Sequence, residues 1–155
     1  MIKRLSFIII IAIVFYSSGV FGQSQATKTL ALEKAQLIAD AAEQRAREDN
    51  WNVVIAIVDQ GGHLVVLRRI DGVQTASIDI AIEKARTAVF YKRSTKVFQD
   101  RVSEGENAIL SLPDMMPFGG GLPIWDDDLI VGGIGVSGVT AEQDEIIARV
   151  GLEAL

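Results

Sequence analysis

The chain has no cysteine and one histidine. Lack of cysteine rules out disulfides, a thiolate nucleophile and a zinc–thiolate site. A single histidine, His63, rules out a multi-histidine metal centre within one chain. Basic charge is scarce as well, with 15 Lys+Arg against 20 Asp+Glu and a net charge of −5. That balance speaks against nucleic acid as a partner, because neutralising phosphates requires a basic face. A G-K-[ST] phosphate loop is missing, and so is a G-x-S-x-G nucleophile elbow. Ser137, between glycines, has only His63 to serve as a base, so serine hydrolysis is disfavoured. No apolar run is long enough for a bilayer: the longest, from Leu5 to Tyr16, falls short of the ~20 residues a span needs.

What remains is an ordinary globular composition, 155 residues at 49% hydrophobic and 23% charged, enough for one domain with a core. The first 22 residues stand apart from it. MIKR is a short positive region, LSFIIIIAIVFY an apolar one, and SSGVFG places Val20 and Gly22 at the −3 and −1 positions before Gln23. Residues 1–22 therefore read as a signal peptide cleaved near Gly22–Gln23, with a retained anchor as the alternative. Residues 23–28 form a flexible start, and 29–155 the domain. The expected location is periplasmic or secreted. Loss of Lys3 and Arg4 would leave 13 basic against 20 acidic residues, a balance of 13 − 20 = −7.

Periodicity gives the order α-β-β-α-(loop)-β-β-α. Ala31, Ala35, Ile38, Ala42 and Ala46 mark a helix over 29–49, its small face suited to lying flat on a sheet. WNVVIAIVD (51–59) reads as a strand covered on both faces, Gln60-Gly61-Gly62 as a turn, and HLVVLRR (63–69) as the return strand. A second helix spans 75–92 with Ile78, Ile82, Ala85 and Val89 as its stripe, widened by Ala81 and Ala88; 95–102 adds a helical turn. Residues 103–121 form a long irregular segment, a length usually tied to function. LPIW and LIVGGIGVS are strands around the DDD turn, and Thr140 with Gln143 opens the last helix as a capping box. Tight turns between successive strands make the sheet mainly antiparallel.

Half of the fourteen glycines fall between 119 and 138. Gly133-Ile-Gly135-Val-Ser-Gly138 matches a dinucleotide fingerprint, but only 17 residues follow it, too few for the required βαβ unit and its acidic residue. Two acidic pairs, Glu142 with Glu145 and Asp40 with Glu43, have the spacing to share a hard cation, though helix-dipole and solvation explanations suffice. The 84–101 stretch holds Lys84, Arg86, Lys92, Arg93, Lys96 and Arg101 against Asp100 alone. It reads either as a solvated face or as a surface that recognises carboxylates.

Four blocks in order, AIVDQGGHLVVLRRIDG, IEKARTA, FGGGLPI and VGGIGVSGVTAEQD, resemble the GlcG/HbpS family of haem-binding proteins, whose domain also forms the C-terminal part of PduO-type proteins. The likeness covers about Leu30 to Leu155. It implies a profilin-like α/β sandwich, with a mainly antiparallel sheet of about five strands and helices packed around it. It also implies homo-oligomers, often octamers, and haem or a related tetrapyrrole as cofactor. Ligand-binding positions implied by the resemblance and by the basic helix are Lys84, Thr87, Tyr91, Gly120, Gly121, Pro123, Ser137, Gly138 and Asp144. The glycines would let a loop fold over the sheet edge and leave room for a flat ligand, with Lys84 facing the propionates. His63 is the candidate metal ligand, with Met115, Met116 and Tyr91 as further ones. The sequence departs from the family pattern at Asp128 and Val139, where glycine is common.

Two functions stay open at this point. One is an exported haem-binding protein for scavenging, buffering or sensing, with a membrane sensor as a conceivable partner. The other is a small enzyme or catabolic accessory protein that acts on an organic acid or degrades haem, using Lys84, Ser137 and Asp144 as polar groups.

Overall fold

The β-branched run Val53–Val58, fully buried along its length, is the centre of the molecule. The computed structural model describes residues 28–155. The expected signal peptide lies outside the described residues, as does all but the end of the 23–28 segment. Within them the elements are α1 (Leu32–Glu48), β1 (Val54–Asp59), β2 (Leu64–Arg69), α2 (Ser77–Phe90), α3 (Lys96–Ser103), a 3-10 turn (Asn107–Ser111), β3 (Gly121–Asp126), β4 (Leu129–Ser137) and α4 (Ala141–Leu152). The expected order holds, and the 95–102 turn is a helix of its own. No helix among the described residues is long and apolar enough to cross a membrane.

The sheet is antiparallel throughout, in the order β2-β1-β4-β3. The mixed α/β, antiparallel reading is correct, but the described residues supply four strands rather than five. Alternation along β1 divides the core in two. Ile55 and Ile57 face α1 and α4 together with Ile134, Val136, Leu122 and Ile124, while Val54 and Ala56 pack with Ala81 of α2 and Val58 with Ala85 and Val89. Ala35, Ile38, Ala39, Ala42 and Ala46 are the buried face of α1, so the small-residue stripe lies close against the sheet except at its expected first member, Ala31, which is the exposed N-cap. The Thr140–Gln143 capping box is formed in both directions.

One expectation about α2 changes. Its isoleucines at 78 and 82 are only half-buried, whereas Ser77, Lys84 and Thr87 are buried with Ala81, Ala85 and Ala88. The reason lies in the strands beneath. A Cβ on Gly135 would run into the Ala81 carbonyl, one on Gly121 into that of Lys84, and one on Gly133 would stand 2.6 Å from that of Ala85. Gly121, Gly133 and Gly135 thus give way to a helix backbone rather than to a flat ligand. This approach presses the alanine and polar side of α2 onto the sheet and leaves the isoleucines at its margin. In the β3–β4 turn the left-handed residue is Asp127, at φ 54°.

Gly135→Ala should therefore lower stability by about 2–3 kcal/mol, since neither backbone can yield in a packed interior. Gly105→Ala is the control: no atom stands within 4 Å of its Cβ position, and only its φ of 94° is unfavourable, so a loss of about 1 kcal/mol is expected. Urea midpoints of the two variants test the difference.

Candidate functional site

Burying a lysine costs several kcal/mol unless its ammonium is matched, and Lys84, 2% exposed, is matched twice. Its Nζ donates to Asp144 Oδ2 at 2.7 Å and to the Val136 carbonyl at 2.9 Å. Asp144 is equally buried at 2% and accepts a further bond from the Val139 amide at 3.3 Å. The pair joins α2, the end of β4 and the first turn of α4. Burial outweighs the mutual attraction for both groups: it pushes the Lys84 amine below its usual pKa and the Asp144 carboxyl above its own.

Lys84, Ser137 and Asp144 line one cleft of about 220 Å³, walled by Ile80, Met116, Phe118, Val139 and Ala141. Ser137 is buried, and its Oγ pairs with Ser77 Oγ at 3.3 Å. Gly120 closes the cleft from behind: with φ 109°, it would bring a Cβ within 2.7 Å of the Asp144 Cβ and 3.2 Å of Lys84 Nζ. Only glycine leaves room for the pair.

Two other expected positions hold the irregular segment in place rather than line the cleft. Thr87 Oγ1 donates to the Asp114 carbonyl at 3.2 Å and accepts from the Met116 amide at 2.8 Å. The Tyr91 hydroxyl donates to the Pro113 carbonyl. Thr95 Oγ1 and Gln99 Oε1 accept from the amides of Gly121 and Gly119. These latches keep Met116 and Phe118 over the cleft.

Three positions are elsewhere. Pro123 lines an open groove with Leu122, Trp125, Arg149 and Leu152, and Gly138 one with Trp51, Asn52 and Val139. His63 lies in the β1–β2 turn with its side chain 82% exposed. Its Nδ1 is 3.3 Å from Asp59 Oδ1, and that carboxylate also accepts the Gly61 and His63 amides. Burial alone would raise the Asp59 pKa, but these bonds bring it below the usual value.

Half of the basic stretch is neutralised by nearby acids: Arg86 pairs with Glu83, Lys96 with Asp100, and Arg101 with Glu106 just beyond α3. The ammonium of Lys84 is engaged by Asp144, so it does not present a free cation to propionates. Asp40 and Glu43 are taken by Arg68, and Glu145 by Arg149. No cluster of three metal-ligating side chains occurs among the described residues. Ile80, Phe118, Val139 and Ala141 line the cleft without having been among the expected ligand-binding positions; the last three lie inside the FGGGLPI and VGGIGVSGVTAEQD blocks, and Val139 is one of the two departures from the family pattern.

Comparison with known proteins places this geometry in context. Residues 30–153 match the family model described as haem degrading protein, HbpS-like. Protein GlcG of Escherichia coli K12 is 38% identical over 108 residues, 70% of this chain and 81% of that protein. Among solved structures, protein ORFY of Klebsiella pneumoniae superimposes with a TM-score of 0.79 at 34% identity, covering 87% of this chain and 96% of that one. A PduOC:heme complex superimposes with a TM-score of 0.75 at 32% identity, covering 83% and 96%.

Truncating one partner of the buried pair is expected to cost about 3–5 kcal/mol, because the other charge is left unmatched. In urea unfolding, Lys84→Met and Asp144→Leu should each show this loss, and the double variant should lose clearly less than their sum.

Proposed function

The chain belongs to the HbpS-like family, and from that premise we propose that it binds haem or a closely related tetrapyrrole at the Lys84–Asp144 cleft. The observation that carries the reading is the cleft's form: apolar side chains around a small polar floor, in a fold shared with a PduOC:heme complex. At about 220 Å³ the cleft is below the roughly 300–1,000 Å³ of sites that enclose drug-sized ligands. A tetrapyrrole would therefore rest across the mouth, with Met116 and the half-exposed ring of Phe118 (56%) against its apolar plane. Iron would supply redox or ligand-exchange chemistry to the bound group; the chain's own residues exclude water from one side. Of the candidate iron ligands, Met116 lines the cleft, the Tyr91 hydroxyl is spent on Pro113, and His63 sits in the β1–β2 turn and is not among the cleft residues.

The signal-like N-terminus supports a place of action outside the cytoplasm, periplasmic or secreted, where such a protein would scavenge, buffer or report haem. Exposed Leu67, Phe90 and Trp125 support assembly into homo-oligomers.

Haemin titration followed at the Soret band tests the reading. A saturable shifted band is expected, weakened about tenfold by Phe118→Ala, the loss of one aromatic contact. His63→Ala should leave the band unchanged and Met116→Ala should move it. A featureless titration overturns the proposal. Slow bleaching of a formed band under reductant would mark haem breakdown, and a steady band storage.

A further inference from the structure

Seating a flat ring across the mouth uses the walls of the cleft and leaves its floor without a task. That floor is an amine. Lys84 Nζ has three hydrogen positions, and the protein occupies two of them, through Asp144 Oδ2 and the Val136 carbonyl. The third meets no protein acceptor among the described residues, and the side chain is one that lines the cleft. Loss of that one proton leaves the nitrogen lone pair in the third position while both fixed bonds persist. A nucleophile positioned in this way is uncommon for lysine, whose amine is normally solvated and mobile.

We propose that Lys84 forms a reversible imine with a small carbonyl compound that carries a short apolar tail, taken up in the cleft. Its size follows from the volume, about 220 Å³, and its character from the walls. Ile80, Met116, Phe118, Val139 and Ala141 offer apolar surface, and Asp144 already balances the only buried cation there, so an added carboxylate would find no unmatched positive charge. The Ser137 hydroxyl, once turned away from Ser77 Oγ, can donate to the carbonyl oxygen.

The chemistry closes on its own atoms. The ammonium releases one proton to water, and the amine lone pair attacks the carbonyl carbon as the C=O electron pair moves to oxygen. The nitrogen of the adduct passes one proton to the carbinolamine oxygen, which takes a second, the one first released, from water and leaves as water while the freed nitrogen lone pair forms the C=N bond. The net change is an ammonium and an aldehyde giving an iminium and water. Charge is conserved from start to end: Asp144 faces a neutral amine only while the lone pair attacks, and the iminium restores its cationic partner, its single N–H keeping one of the two bonds that the ammonium makes. Burial supports the step by lowering the Lys84 pKa, since each unit of lowering raises the neutral fraction about tenfold.

The test is reductive trapping of the purified protein with butanal and cyanoborohydride near neutral pH, followed by peptide mapping. Lys84 is expected to be butylated at least about tenfold faster than the solvent-facing Lys28, Lys34, Lys92 and Lys96. A bulky aromatic aldehyde, too large for the cleft, should label those four and spare Lys84. Lys84→Arg keeps the cation and its ion pair but forms no imine, and should lose the fast adduct alone. An unmodified Lys84, or one labelled no faster than the surface lysines, overturns the proposal. Mapping of the parent protein decides this even if the variant does not fold. No haem takes part, so the result is independent of the haemin titration.

Discussion

The structure depends on how closely α2 approaches the sheet. Gly121, Gly133 and Gly135 carry no Cβ, and the carbonyls of Lys84, Ala85 and Ala81 occupy the space that three methyl groups would take. At this spacing the side of α2 that faces the sheet has room for alanine, serine and threonine but not for isoleucine. It also brings the stem of Lys84 inside the protein, between the end of β4 and α4. Glycine weakens a strand by its flexibility, so three of them on one side of two paired strands are tolerated because a helix backbone fills the gap.

The polar floor is a consequence of that approach. A lysine drawn under the surface needs a counter-charge, and Asp144 in the first turn of α4 supplies it while also holding the Val139 amide. Such a pair is weak evidence of stability, because desolvating two ions costs about as much as their attraction returns. Apolar residues of similar volume would fill the same space without that cost. The pair has the form of the proposed site: a positioned amine and carboxyl in a concave apolar surround, both displaced toward neutrality by burial. The loop latched by Thr87 and Tyr91 belongs to the same arrangement, since it holds Met116 and Phe118 where they shield the floor from water.

The sequence made the elements legible and left their depth obscure. Strand runs, the alanine face of α1 and the Thr140–Gln143 cap depend on neighbours a few positions apart, and each formed as periodicity and spacing indicate. Lys84 and Asp144 are 60 residues apart, and no local pattern pairs them; only the likeness to a family brought both into one set with Ser137 and Gly120. The stripe of α2 was misjudged for a related reason. Hydrophobic spacing ranks Ile78 and Ile82 as the buried side, but the decisive partner, glycine in β4, lies about 50 positions away. The basic excess between Lys84 and Arg101 misled in the opposite way. Acids within five residues of each partner, Glu83, Asp100 and Glu106, neutralise Arg86, Lys96 and Arg101, so a count of charge overstated the free cationic surface.

These features bear on how one cleft could serve two ligands. On the proposed reading a planar ring would make its largest contact with the apolar mouth, where stacking on Phe118 would contribute most and the amine little. A short carbonyl compound gains little from the mouth and depends on the amine at the floor. The two therefore draw on separate parts of the site yet compete for it, because a ring across Met116 and Phe118 covers the approach to Lys84. Occupancy of the mouth would then govern the reactivity of the floor. That coupling needs no movement of the fold, only the depth at which the glycines of β3 and β4 allow α2 to lie.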